Sequence, residues 1–298
     1  MDSYTLKIAD YVIQISNTTA GPDLFVSDRF CGFIVNNLKP DITIRIQPGK
    51  YEPASEMKSV FKAPYIEDID NIPVKIANEF WNVYSDNNNN FLINIIYPSG
   101  RPGKESWLRF SLTDTEWDLF IETKESSIDA LEYPLDGLIL YYLTVIKSDI
   151  FIHGSGINFD QKGYLFTGVS GRGKTTMARL WDNYGGKVIH DDRLIIRNIN
   201  GVYTMYNTPV YNNENPSQSP LDKIYIIHHG SSNDKQLLYG ATALTNIMAN
   251  CIQHNWSTEI ISRLTSSLYS LNNEILVYKL QFTPDKSVVD YILSDEYV

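Results

Sequence analysis

Residues 168–175 read Gly-Val-Ser-Gly-Arg-Gly-Lys-Thr, and no other stretch of the chain restricts its fold as much. The Gly-x4-Gly-Lys-Thr spacing follows an apolar strand candidate, Tyr164–Thr167. It opens a helix candidate, Thr175–Tyr184, which Gly185-Gly186 would stop. Strand, glycine-rich loop, helix is the order that a phosphate cradle requires. Gly168, Gly171 and Gly173 let the backbone take positive φ and wrap closely around phosphate oxygens. Successive N–H groups then point inward, and the helix N-terminus adds partial positive charge. Lys174 supplies a mobile cation for the terminal phosphates, and the Thr175 hydroxyl is suited to Mg2+. This P-loop predicts binding of a nucleoside triphosphate. The candidate contacts to ATP are Gly168, Ser170, Gly171, Arg172, Gly173, Lys174, Thr175 and Thr176.

A short strand candidate, Lys187–His190, ends in adjacent carboxylates, Asp191 and Asp192, 17 and 18 residues after Lys174. A triphosphate–Mg2+ site needs a carboxylate near the metal, and a kinase acting on a hydroxyl needs a base near the nucleophile. Two aspartates at one strand end can divide these tasks. Asp-Asp-Arg is also ordinary turn chemistry, so only the nearby cradle gives the pair its catalytic reading. His190 reads as a strand residue that orders the aspartates. His228 and His229 are neighbours on a strand and point to opposite faces, so they cannot readily share one ion.

Around this motif the chain divides in two. Residues 1–126 read as a β-rich domain of unknown role. Its strand candidates are Tyr4–Ile8, Tyr11–Ile15, Ile42–Gln47, Phe91–Tyr97, Ser106–Leu112 and Trp117–Glu122. Turn chemistry separates them, including Pro98-Ser99-Gly100 and the Asp86–Asn90 run, read as a hairpin tip. From residue 127 to 298 strands alternate with helices, which points to α/β architecture. A first helix is expected from Ser127–Asp129 through Ile146, with Pro134 the alternative marker of its true first turn. Later elements include Ile150–Phe159, Leu194–Arg197, Val202–Tyr206 and Ile224–His228 as strands. Ala241–Asn255, Thr258–Ser270 and Lys286–Leu293 are expected helices, and Ile275–Phe282 a further strand. The polar, Pro- and Asn-rich stretch Asn207–Pro220 reads as a flexible loop.

Composition removes other classes. A net charge of −10 argues against coating nucleic acid, which takes a basic excess. The longest apolar run, Gly137–Ile146, is about half a membrane span. With no leader-like start and only Cys31 and Cys251, a cytoplasmic protein with reduced thiols is expected.

The P-loop, a preceding strand carrying His153 and a following His190-Asp191-Asp192 together resemble the HPr kinase/phosphorylase group, of the phosphoenolpyruvate carboxykinase-like P-loop fold. The resemblance is strongest over residues 150–197 and weaker over about 127–290; the first 125 residues resemble nothing. It implies an α/β, phosphoenolpyruvate carboxykinase-like P-loop domain behind a β-rich N-terminal one. It further implies ATP and Mg2+, with Asp191 as catalytic base, Asp192 and Thr175 as metal ligands, and Lys174 and His153 beside the phosphates. The acceptor would be a hydroxyl, Ser or Thr, of a protein or peptide, with no nucleic-acid or membrane partner and the homo-oligomeric state open. One departure stands out: no Leu-Glu-Ile-Arg-Gly-type signature follows Asp192, and Arg172, Arg193 and Arg197 are the remaining candidates for a transition-state cation. That departure keeps a second reading in view, a nucleotide-binding regulatory protein or degenerate kinase without transfer activity. Carboxykinase-type chemistry on a small acid is a third, disfavoured by the short chain.

Lys174→Ala should leave the fold intact, because the side chain serves a ligand rather than a core, and should sharply weaken ATP–Mg2+ affinity. Calorimetric titration measures this; unchanged affinity would remove the phosphate-cradle reading.

Overall fold

The structure, a computed structural model, describes residues 2–18, 22–69, 72–86, 89–97, 104–254 and 256–294. Residues 1–142 and 143–298 form two compact units. The division falls within the first helix, downstream of the 126/127 junction read from composition.

In the first unit, β1 (Ser3–Ile8) and β2 (Tyr11–Asn17) form a hairpin. They are followed by β3 (Asp23–Leu24), β4 (Ile42–Pro48), β5 (Lys58–Ile69), β6 (Ile72–Ser85), β7 (Asn90–Ile96), β8 (Glu105–Ser111), β9 (Glu116–Glu122) and β10 (Ser127–Ile128). Eight strands make one sheet in the order β1-β2-β4-β9-β8-β7-β6-β5, with β4 parallel to both neighbours. Alternation explains the sheet: in β4, Ile42, Ile44 and Ile46 are buried while Thr43 and Arg45 are not. The Asp86–Asn90 run does join β6 to β7. Asn89 takes φ 62°, and the Asp86 carboxylate accepts from the Asn90 side chain at 2.8 Å. Asn87, Asn88 and the Pro98-Ser99-Gly100 turn lie outside the described residues.

The structure departs from the sequence reading of this region in two places. Ser127 and Ile128 do not start a helix; they pair with Asp23 and Leu24, and helix α1 (Leu135–Lys147) begins after Pro134. The first i→i−4 bond runs from Leu138 N–H to the Pro134 carbonyl, so the proline sits where its missing N–H costs nothing. The long β5–β6 hairpin is the other. Its register shifts around Ala63 and Tyr65 interrupt the period-2 pattern, and Pro64 argues against a strand when read alone.

The second unit contains β11 (Ile150–Phe159), β12 (Lys162–Thr167), α2 (Lys174–Tyr184), β13 (Lys187–His190), β14 (Arg193–Ile199), β15 (Val202–Asn207) and β16 (Gln218–Pro220). After these come β17 (Lys223–His229), β18 (Asp234–Leu238), α3 (Gly240–Met248), α4 (Thr258–Glu274), β19 (Leu276–Phe282) and α5 (Ser287–Ser294). The sheet runs β16-β15-β14-β11-β12-β17-β19-β18, with β13 also on β11. Strands β12, β17 and β19 are parallel, and the remaining pairs are antiparallel. This is mixed α/β architecture. Both faces are covered, as period 2 requires. Tyr164, Phe166, Tyr225 and Leu280 pack with Met177 and Trp181 of α2 and Val288 and Ile292 of α5. Leu165, Ile224 and Val277 belong to the opposite cluster, with Ile247 of α3 and Leu268 of α4.

The helix expected over Ala241–Asn255 ends at Met248. Beyond it the backbone turns to β11 instead: Asn250 O accepts from His153 N at 3.0 Å, and Ile252 N donates to Phe151 O at 2.8 Å. A sheet edge in need of partners outcompetes the last helical turns. No helix among the described residues is long and apolar enough to cross a membrane.

Trp181 is fully buried and stacks on Tyr164, with ring centroids 5.0 Å apart. Trp181→Ala should therefore cost about 3–5 kcal/mol of the second unit's stability. Urea unfolding followed by circular dichroism would detect it, and a loss below about 1 kcal/mol would contradict this account of the core.

Candidate functional site

The loop between β12 and α2 is shaped by what surrounds it. Gly173, the residue before α2, takes φ 95°, and a Cβ there would meet the Phe282 ring at 2.7 Å and His229 at 2.9 Å. At Gly168 a Cβ would come within 2.9 Å of the Ile227 carbonyl. The loop thus rests on the C-terminal ends of β17 and β19, and any larger residue at these points would lift it. The Lys174 ammonium folds back to the Gly168 carbonyl at 2.8 Å. Burial lowers its pKa, while the charge of Asp192 opposes that effect.

Facing this loop is the turn between β13 and β14. Strand β11 pairs with β14 through His153 and with β13 from Gly156 onward, so the Asp191–Asp192 turn falls in the gap. Gly154 N–H donates to the Asp192 carbonyl at 2.9 Å, which fixes the turn to the strand. His190 holds it from beneath. This imidazole is 3% exposed, and its Nδ1 accepts the amide hydrogens of Asp192 and Arg193 at 3.0 and 3.1 Å. Nδ1 is therefore the unprotonated nitrogen, and the proton lies on Nε2, 3.2 Å from Glu214 Oε1. Asp192 Oδ1 is 3.5 Å from His153 Nδ1 and its Oδ2 3.6 Å from Arg193 Nε. Chiefly the His153 interaction, against partial burial, holds the Asp192 carboxyl below its ordinary value.

His153, Gly168, Ser170, Gly171, Gly173, Lys174, Thr175, Thr176, Asp191 and Asp192 line one cavity of about 870 Å³. Arg172 is exposed and does not line it; its charge acts on His228 instead. Arg197 is paired with Asp149 at 2.9 Å, and no arginine lines the cavity among the described residues. The adjacent histidines diverge: His229 lines the cavity against Phe282, while His228 does not. Cys251 also lines it, but burial pushes its thiol up to about 12, which leaves it unreactive.

The Asn207–Pro220 stretch is not a free loop. Asn207 closes it, its side chain accepting from Ser217 N at 2.7 Å and donating to Asn215 O at 3.0 Å. Residues 218–220 join the sheet as β16. Glu214 accepts the amide hydrogens of Val210 and Tyr211, both at 3.1 Å. Burial alone would raise the Glu214 carboxyl, but His190 and these two amides outweigh it and hold the group below its ordinary value. The strap carries Tyr211 over the cavity. Its ring stacks on His190 at 5.4 Å, and its hydroxyl donates to Asp191 Oδ1 at 3.4 Å. Burial first, then Asp191 and Asp192, push that hydroxyl up to about 12, so it remains a donor at neutral pH. Sequence reasoning missed Tyr211 and Glu214, and it weighed His229 only as a metal ligand shared with His228. For the first two the available signal was an acidic and an aromatic residue inside a stretch otherwise rich in Asn, Pro and Ser.

The donor set suits a hard divalent cation. Asp191, Asp192 and the Thr175 hydroxyl are oxygen donors that line the same cavity. No three His, Cys, Asp or Glu side chains converge to form a ready-made cage among the described residues, so phosphate oxygens and water would fill the remaining positions.

No family model matches the chain, and no curated protein matches its sequence. Among solved structures, the Hpr(Ser) kinase/phosphatase from Coxiella burnetii aligns over 50% of this chain and 99% of its own. The identity is 10% and the TM-score 0.30, a weak structural relation.

The Glu214 contacts set a pH dependence. A carboxyl whose folded pKa lies below its unfolded value adds stability above the unfolded value, 4.5 for this group, and loses it as pH falls through the lower folded one. Glu214→Gln should therefore lower the melting temperature at pH 6–7 and shrink the gap to wild type toward about pH 3. A gap independent of pH would show that the carboxylate charge contributes nothing.

Proposed function

We propose that the chain is an ATP- and Mg2+-dependent kinase that transfers the γ-phosphate to a hydroxyl, Ser or Thr, of a protein or peptide. The supporting observation is that the glycine-rich loop with Lys174 and the Asp191–Asp192 turn face each other across one cavity. Amide groups of the loop and the start of α2 hold the phosphates, and Lys174 leaves its resting contact with the Gly168 carbonyl to neutralise them. Thr175 and Asp192 would hold Mg2+, which when bound offsets charge on the phosphates and aligns them for in-line transfer. Asp191 accepts the proton of the attacking hydroxyl. His153 keeps Asp192 ionised and oriented, because its imidazole sits against the Oδ1 atom.

One observation favours a second reading, a nucleotide-binding regulator without transfer activity. With Arg197 committed to Asp149, Arg193 beside Asp192 and Arg172 outside the lining, the cavity lacks an arginine for the transferring group among the described residues. Incubation with labelled ATP–Mg2+ and peptide acceptors separates the two: tight binding without any transfer favours the regulator.

The adjacent aspartates provide the sharper test. Asp191→Asn should preserve ATP–Mg2+ binding and slow transfer by roughly 10²- to 10⁴-fold, the range for losing a general base. Asp192→Asn should instead raise the Mg2+ concentration for half-maximal activity, with partial rescue by excess metal. Titrating each variant with Mg2+ at saturating ATP reads both; full activity in both would reduce Asp-Asp-Arg to an ordinary turn.

A further inference from the structure

A base that serves only an incoming hydroxyl needs no hydroxyl of its own chain beside it. Asp191 has one. The Tyr211 hydroxyl already donates to its Oδ1 at 3.4 Å, from the wall of the cavity that Lys174 and Thr175 also line. From this geometry we infer that Tyr211 is itself a phosphate acceptor, modified in cis by the γ-phosphate of ATP. The inference rests on the kinase reading above.

Three features separate Tyr211 from a tyrosine that merely lies nearby. Its backbone is held, because Glu214 accepts the amide hydrogens of both Val210 and Tyr211 and Asn207 closes the strap behind them. Its ring is held, stacked 19° from parallel on His190, the residue whose Nδ1 also fixes the amides of Asp192 and Arg193. The tyrosine ring and the backbone that follows Asp191 thus rest on one imidazole, and the spacing of hydroxyl and turn is set by the fold rather than by collision. Yet Tyr211 is 49% exposed, so no core would be broken by adding a phosphate. At 3.4 Å the contact is longer than an ordinary O–H···O hydrogen bond, so the hydroxyl is held near the carboxylate by its ring and backbone more than by that bond.

The transfer balances as follows. Tyr211 Oη attacks the γ-phosphorus and forms a new O–P bond, while the bond from that phosphorus to the β,γ-bridging oxygen breaks and its electron pair leaves with ADP. The tyrosyl proton passes to Asp191 Oδ1 and then to solvent. The products are phosphotyrosine at 211, ADP and one proton. A phosphate there adds about two negative charges beside Asp191 and Asp192, and their repulsion would drive the ring out of the cavity. Position 211 would then be cleared for an external hydroxyl.

The test uses the full chain, purified, dephosphorylated and incubated with ATP and Mg2+. Peptide mass spectrometry should find phosphate at Tyr211, approaching one per chain, with a first-order rate constant unchanged on tenfold dilution. Tyr211→Phe, which keeps the ring on His190, should lose that label. Asp191→Asn should slow it by about 10²- to 10⁴-fold, with calorimetric ATP binding and melting temperature as checks on folding. Phosphate transfer to added peptides with Tyr211 unlabelled would overturn the inference and leave the kinase standing. A labelling rate that scales with protein concentration would overturn the cis assignment. ATP binding with no transfer to Tyr211 or to any peptide would overturn both.

Discussion

Strand β11 changes partner along one edge, and the site depends on that change. Through His153 it pairs with β14, and from Gly156 it pairs with β13, while its other edge carries residues 250–252 up to His153 and β12 from Gly154. The chain between β13 and β14 has to leave the sheet where the partners exchange, and Asp191 and Asp192 occupy that place. Because Gly154 pairs with Thr167 on one side and donates to the Asp192 carbonyl on the other, one residue separates the start of the phosphate loop from the acidic turn. Glycine at 154 and 156 follows from crowding. A Cβ at 154 would meet Leu165 at 2.7 Å, and one at 156 would meet Leu194 at 3.1 Å. The same side chains that fill the core beneath β11 therefore keep its upper surface narrow.

The turn also has an electrostatic requirement. Two carboxylates side by side repel, and the backbone beneath them would prefer to relax. Two amide hydrogens delivered to His190 Nδ1, with Glu214 behind the ring, resist that relaxation. Because the imidazole is buried, these bonds act where water competes little for them. The arrangement turns a solvent-like Asp-Asp-Arg sequence into a fixed one.

What was legible in the amino acids was local. Glycine spacing, the apolar strand before it and the helix after it announced the loop between β12 and α2, since each signal lies within a few residues of the next. Alternation announced β4 and its neighbours for the same reason. The strap over the cavity was read as flexible because its Asn, Pro and Ser content describes only turn propensity. Its order comes from Asn207 reaching Asn215 and Ser217 and from Glu214 reaching His190, and a one-dimensional pattern holds no record of such long-range partners. The truncated end of α3 has the same cause, as its last residues answered to strand β11 rather than to helical propensity.

The outer hairpin of the first unit has a different kind of significance. Strand β5 ends its sheet, so among the described residues no strand lies along one row of its peptide groups. A long border of that kind is the template on which chains add to one another edge to edge. Here the border is interrupted: register shifts between Ser59 and Ile66 bend it, Pro64 has no hydrogen to offer, and Lys58 and Lys62 present charge along it. Lys62 is further engaged across the hairpin with Glu79. The irregularities that hid this strand from pattern reading are also ones that disfavour extending a long ribbon by edge-to-edge pairing.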